Sequence, residues 1–355
     1  MARKPSGDKT SRIVGLGLLA PGLLAICTLG CRSEKPLTSE ADTAPLALPA
    51  PAKAPAKAPA EASAARSPAP APPRPPCPRY RAPASQGTLE NARLTEISGL
   101  GVTSAAAGTF WVHNDSGDEA RTYLLSARAE WLATYRLLGI DKPSDIEDLA
   151  VVRRGEQTTM YLGDIGDNAR SRTDGILIHR FVEPELPARA DSVPPNRERP
   201  TGPVATFHLR YPDGPHDAEA LLVDPSSETV VIVTKPLLGD AEVYQKQGPL
   251  ADGTLALAGR LTEPLTGTII QLVTGADMTR AGDYLALRTY DSIFLFPRAA
   301  GQSMAEALLA PACPVPAPPE KQGEAIALLD RPGRAPAVAT MSEGEVTALW
   351  LIEPE

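Results

Sequence analysis

After about residue 89 the chain carries many short β-branched or aromatic runs, and the segments that open its repeating units place their first, third and fifth residues on one face, as strands do. Helical spacing is scarce, and only residues 305–310 read as helix. The runs fall into five units that can be laid beneath one another. Each unit opens on an inner-strand motif: Glu96–Leu100, Asp145–Leu149, Asp217–Leu221, Thr274–Met278 and Gln322–Ile326. Second strands follow at Phe110–His113, Met160–Gly163, Val230–Thr234, Tyr284–Arg288 and Ala337–Met341. Third strands come next, at Thr122–Ser126, Ile176–Phe181, Glu242–Lys246, Ser292–Phe296 and Thr347–Ile352. Outer strands are visible at Ala133–Leu137, Val204–Arg210 and Thr254–Leu261.

Four strands recurring every 50 or so residues predict an all-β fold, a β-propeller of five four-stranded blades, with six as the alternative. The last unit ends after its third strand, so Gly87–Leu94 is expected to supply the missing outer strand and close the ring. Pro184–Pro203 reads as a long surface loop, or a lid over one face. The clearest self-similarity is between Asn114–Arg121 and Gly163–Arg170, identical at five of eight positions. Within it, Gly166-Asp167 recurs as Gly117-Asp118, Gly239-Asp240 and Gly344-Glu345, each before a third strand, which is turn chemistry.

The region before residue 89 has a different character. Arg3, Lys4, Lys9 and Arg12 precede an apolar run from Ile13 to Leu29 that ends in a lipobox-like Thr28-Leu29-Gly30-Cys31. Residues 1–31 therefore read as an export signal with Cys31 as the acylated residue; an uncleaved anchor or ordinary secretion is the alternative. Residues 32–88 form a Pro/Ala/Lys tether, a composition that cannot bury a core. Residues 89–355 form the propeller, exported and lipid-anchored in a bacterial cell envelope. Cys77 and Cys313 remain, and in an oxidising compartment they either pair or stay free. A net charge of -8 and the lack of a basic stripe exclude a nucleic-acid surface.

The inner-strand openings bring Glu96, Asp145, Glu147, Asp148, Asp217, Glu219, Asp277 and Glu324 towards one channel mouth. Like charges gathered in this way need compensation, and a hard cation with oxygen ligands supplies it. Glu147, Glu219 and Glu324, at the third position of their motifs, are the preferred ligands, with Ser98 and Ala276 in the other two units. Backbone hydrogen bonds and inter-blade ion pairs are the plain alternative. Asp115 and Asp164 recur after the second strands and are further ligand candidates, with Asn114 and Asn168 beside them as substrate-binding candidates. His216 and Asp217 are candidates to activate water, and His113, Asp115, His216 and Glu219 are a possible transition-metal set. Lys235 and Arg288 end the second strands of units three and four, where they could hold an anionic substrate.

The openings Ile97-Ser-Gly-Leu100, Ile146-Glu-Asp-Leu-Ala150 and Ala218-Glu-Ala-Leu221, with their acidic turns, resemble the phytase-like and strictosidine-synthase/gluconolactonase-like group of propellers. That resemblance implies a calcium ion at the channel mouth, held by carboxylates and asparagine from several blades. Two functions are compatible with it: a monomeric envelope module that binds a small anion or an envelope protein, or a calcium-dependent hydrolase of phosphoesters, esters or lactones.

Overall fold

The computed structural model describes residues 76–105, 108–115, 117–140, 142–187, 194–261 and 272–355. The stretches read as export signal and tether, with Cys31, lie outside the described residues up to residue 75. Strand β1 (Ala84–Glu90) starts within the stretch read as tether. Blade one is β2 (Ile97–Val102), β3 (Phe110–Asn114), β4 (Arg121–Leu125) and β5 (Trp131–Leu138). Blade two begins with β6 (Ile146–Arg154), β7 (Gln157–Asp164) and β8 (Ile176–Val182). The chain then returns to blade one as β9 (Glu198–Pro203), parallel to β5, before β10 (Ala205–Arg210) completes blade two.

Blade three is β11 (Ala218–Val223), β12 (Val230–Thr234), β13 (Ala241–Lys246) and β15 (Ala256–Leu261). Between its last two strands, β14 (Gly253–Thr254) pairs with the edge of β10. Blade four is β16 (Val273–Met278), β17 (Tyr284–Thr289), β18 (Ile293–Pro297) and, after helix α1 (Met304–Leu308), β19 (Cys313–Val315). Blade five is β20 (Gly323–Leu329), β21 (Ala337–Ser342) and β22 (Val346–Ile352), with β1 as its outer strand in antiparallel register from Ala84↔Leu351 to Glu90↔Val346. The fold is thus a five-bladed propeller, closed by the N-terminal strand. Inner strands β2, β6, β11, β16 and β20 follow one another around the ring, and β20 meets β2.

The stretch 184–203, read as a loop or lid, does something different. The outer edge of β5 would otherwise leave unpaired backbone groups, and β9 covers it. Tyr135 anchors the approach by donating its hydroxyl to the carbonyl of Glu185 at 2.6 Å. Cores lie between blades: Val231, Val233, Leu285, Phe294 and Phe296 pack together, with Met304 and Leu308 of α1 closing that layer. α1 forms where residues 305–310 suggested helix, and Ser303 and Glu306 cap it reciprocally. The outer strand of blade four comes after α1 in a proline-flanked stretch, and its Cys313 is disulfide-bonded to Cys77, with Cα atoms 5.3 Å apart.

One irregularity repeats in every blade. The pairing of first and second strands slips between Ile97/Gly99, Ile146/Asp148, Ala218/Ala220, Val273/Gly275 and Gly323/Ala325. Each slip is a β-bulge, which re-aims one side chain. The bulged residues are Ser98, Glu147, Glu219, Thr274 and Glu324, so Thr274 and not Ala276 is the blade-four counterpart.

Candidate site at the channel mouth

Three columns of residues build the mouth from the strand ends. The first holds the last residue of each second strand: Asn114, Asp164, Thr234, Thr289 and Ser342. In three blades this side chain receives the backbone N–H that leads into the inner strand. Asn114 accepts from Glu96 at 3.4 Å, Asp164 from Asp145 at 3.0 Å and Ser342 from Gln322 at 3.3 Å. The second column is one residue further on: Asp115, Ile165, Lys235, Tyr290 and Glu343. Four of these donate their N–H to the residue before the inner strand: Asp115 to Glu96, Ile165 to Asp145, Lys235 to Asp217 and Glu343 to Gln322. The third column is the bulge set.

These columns reassign the repeated motif. Asn114 pairs with Ile97 as Asp164 pairs with Ile146, so Asp164 matches Asn114, and Asp115 matches Ile165. Asp164 is fully buried, and its oxygens take the N–H groups of Ser144 and Asp145 and the Arg172 guanidinium at 2.7 Å. Burial pushes its carboxyl up, but His179, Arg172 and these amides outweigh that and hold it at about 2. Its lone pairs serve the turn. Asn114 is equally engaged, donating to the Arg93 carbonyl at 2.6 Å and to Asp118 at 3.1 Å, while Asn168 is exposed. Gly117, Gly239 and Gly344 adopt φ of 89°, 93° and 131°, as turn glycines do. Gly166 does not. It is a close-approach glycine, whose added Cβ would lie 2.3 Å from Glu147 Oε1 and 2.5 Å from Asp145 Oδ2.

Glu147, Glu219 and Glu324 are each 3% exposed, and the Glu219 carboxylate helps to push up both Glu147 and Glu324. Burial is the main cause of their raised pKa, and neighbouring carboxylates add to it: Glu147 stands well above the usual range, Glu324 at about 7 and Glu219 at about 8. Lys235 contacts Glu219 and lies 4.8 Å from the Tyr290 ring centre, tying blades three and four together. The other oxygen of Glu219, Oε2, has no hydrogen-bond partner. Ser98 donates to the Glu147 carbonyl at 2.5 Å, and Thr274 donates to the Gly323 carbonyl at 2.9 Å. Below the mouth, Asp148 is buried and stitches three inner strands, accepting from Leu149 at 2.8 Å, Leu221 at 2.7 Å and Ala276 at 3.1 Å.

The three bulge glutamates are not the tightest group. Glu96, Asp115 and Glu343 have oxygens within 4.8 Å of one another at the seam of blades one and five. Burial and mutual repulsion raise Asp115 to about 7 and Glu343 to about 8. Glu324 and Glu96 both add to the rise at Glu343, and Gln322 Nε2 donates to Glu324 at 3.5 Å and also to Glu343. Glu343 was missed in the sequence, although it stands one residue past its second strand, as Asp115 does.

The remaining candidates are engaged with partners of their own. Arg288 is inside β17 and fully buried, paired with Glu320 at 2.5 Å. His113 is fully buried, with Nδ1 2.8 Å from the Asn114 carbonyl and Nε2 packed over Gly99; burial lowers it to about 4. His216 faces Asp213 and Glu242, and Asp217 Oδ1 accepts the Asp167 N–H at 2.9 Å. Among the described residues, His113, Asp115, His216 and Glu219 do not form a gathered ligand group.

The raised mouth carboxylates set a pH dependence. A carboxyl with a higher pKa folded than unfolded binds more protons in the native state, so its stabilisation is present at low pH and lost as pH rises. From the ordinary value near 4.5 to the folded values of about 7 and 8, the metal-free protein should become less stable. Thermal melting at pH about 5.5 and about 8 checks this. A lower melting temperature at the higher pH is expected, and Glu324→Gln/Glu343→Gln should flatten the difference. An equal or higher value in wild type would contradict it.

No protein-family model and no curated protein matches the sequence. Among solved structures, the soluble aldose sugar dehydrogenase of Escherichia coli in its apo form is similar at 8% identity, over 77% of this chain and 99% of that one, with a TM-score of 0.40. A chain of the nidogen/laminin complex is similar at 11% identity, over 70% of this chain and 76% of that one, with a TM-score of 0.36.

Proposed function

We propose that this chain is an envelope-tethered binding module whose propeller mouth takes a divalent cation of the calcium type. The observation that carries the reading is the pair of carboxylate tiers at one mouth: the bulge glutamates below, and Glu96, Asp115 and Glu343 above. Calcium takes six to eight oxygens at about 2.3–2.6 Å in flexible geometry. Oxygens within 4.8 Å of one another suit that requirement, and a cation would compensate the carboxylate charge gathered at Asp115 and Glu343. The unpartnered Oε2 of Glu219 leaves a further acceptor in the lower tier. Lys235 limits how much charge a second ion could find there. A lipid on Cys31 and the proline-rich tether would hold the module at the envelope, where the occupied mouth meets a small anion or an envelope protein. The hydrolase alternative gains no support from His216, whose ring faces Asp213 and Glu242.

Calcium titration followed by thermal melting tests the proposal. A ligand that binds only the native state raises the melting temperature. Wild type should show the rise, Asp115→Asn/Glu343→Gln should lose it, and Glu147→Gln/Glu219→Gln should show a smaller one. No calcium-dependent shift in wild type would overturn the site. Turnover of an ester or phosphoester panel by wild type, lost in the same variants, would replace binding with hydrolysis.

A further inference from the structure

A second cluster lies outside the mouth, on blade three, and we propose that it binds a first-row divalent transition metal such as zinc. Its donors are Asp213 and His216, in the segment leading into β11, and Glu242 and Tyr244 on β13. Donor atoms of Asp213, His216 and Glu242 lie within 4.8 Å of one another. His216 Nε2 is 3.0 Å from Asp213 Oδ1 and 3.1 Å from the Tyr244 hydroxyl. That hydroxyl is 2.7 Å from Asp213 Oδ2 and 2.9 Å from Glu242 Oε2. With metal–ligand bonds of about 2.0–2.2 Å, adjacent donors of a tetrahedral or octahedral site stand roughly 2.8–3.6 Å apart, close to these separations.

Proton counting points the same way. The phenol has one hydrogen and two carboxylate oxygens facing it. If Tyr244 donates to Asp213, Glu242 Oε2 and the phenol oxygen meet lone pair to lone pair at 2.9 Å. Arg260 occupies the other Glu242 oxygen, Oε1, donating from Nε and Nη2 at 2.9 and 2.6 Å, and leaves Oε2 facing the phenol oxygen. A cation coordinated by both oxygens removes the conflict. The imidazole is held against Tyr211 and Tyr244, with ring centres at 4.8 and 5.1 Å, and the two tyrosine rings pack on each other at 4.8 Å. The His216 side chain keeps 20% of its surface exposed, so an ion can reach it.

The donor set also selects the metal. One imidazole nitrogen with carboxylate and phenol oxygens suits zinc and its first-row neighbours, whereas calcium prefers oxygen alone. Arg260 acts one step out, orienting Glu242 through its far oxygen. Bound metal would fasten the lead-in of β11, which carries Asp217 and Glu219, to the third strand of the same blade. This site is independent of the calcium reading.

Calorimetric titration of the full chain with zinc, repeated with cobalt to follow its visible absorption, tests the assignment. One saturable site is expected in wild type, and His216→Gln and Glu242→Gln should each abolish it while circular dichroism shows the fold retained. Arg260→Gln should weaken affinity about ten- to a hundredfold, as loss of an orienting partner does. Glu147→Gln/Glu219→Gln should leave the zinc isotherm unchanged, which separates this site from the mouth. Failure of wild type to bind zinc, or unaltered binding by His216→Gln, would overturn the proposal, and so would loss of binding in the mouth variant.

Discussion

Replacing Arg288 with methionine should cost the folded protein about 3–5 kcal/mol, the penalty for removing one member of a buried ion pair. The Arg288 side chain is 0% exposed and Glu320 3%, so solvent cannot screen the charge left behind. Burial pushes the Arg288 guanidinium down and the Glu320 carboxyl up, the signature of a desolvated pair. Thr340 also donates to Glu320, at 3.2 Å. The pair is also under-satisfied: Arg288 Nε and Nη1 and Glu320 Oε1 have no hydrogen-bond partner. Replacing both residues should therefore recover most of the loss, because an apolar pair of similar volume leaves no orphaned charge. Urea unfolding of Arg288→Met and Arg288→Met/Glu320→Leu measures both. A single variant within about 0.5 kcal/mol of wild type would show that the pair is not buried as described.

Removing the Cys77–Cys313 bond should be the other large effect, about 2–5 kcal/mol. The two residues are 236 positions apart, so the cross-link excludes a large share of the unfolded chain's conformations. Cys77→Ser/Cys313→Ser and the reduced wild type should unfold at similar, lower urea concentrations than the oxidised protein. An unchanged midpoint on reduction, or two free thiols titrating in the oxidised protein, would defeat the expectation.

Strand order and blade count could be read from short apolar runs that recur between turns, because strands such as β12 and β18 bury both faces, alternate residues entering the cores on either side of the blade. The bulges could not. An inserted residue breaks the period without leaving a marker of its own, and so the fourth opening was set two residues out of register, on Ala276. The repeat Asn114–Arg121 misled for a related reason: its identities reflect two acidic glycine turns, while strand pairing places Asp164 opposite Ile146 and Asn114 opposite Ile97. Glu147, Glu219 and Glu324 were found because carboxylates at one strand position stand out against apolar neighbours. Glu343 was not, because only alignment of strand ends sets it beside Asp115 and Lys235. The partners of His216 escaped notice because Glu242 and Tyr244 come from another strand, and their alternation reads as ordinary packing.

The position of Cys77 also bears on how the domain carries load. The closing strand β1 is the first of the propeller in the chain, so tension drawn along the N-terminal segment would by itself peel it from β22 one hydrogen bond at a time. That tension reaches Cys77 before β1. The sulfur link passes it into β19 of blade four, leaving the β1–β22 ladder in the shadow of a covalent bond. The seam that closes the ring would thereby be separated from any pull applied ahead of Cys77.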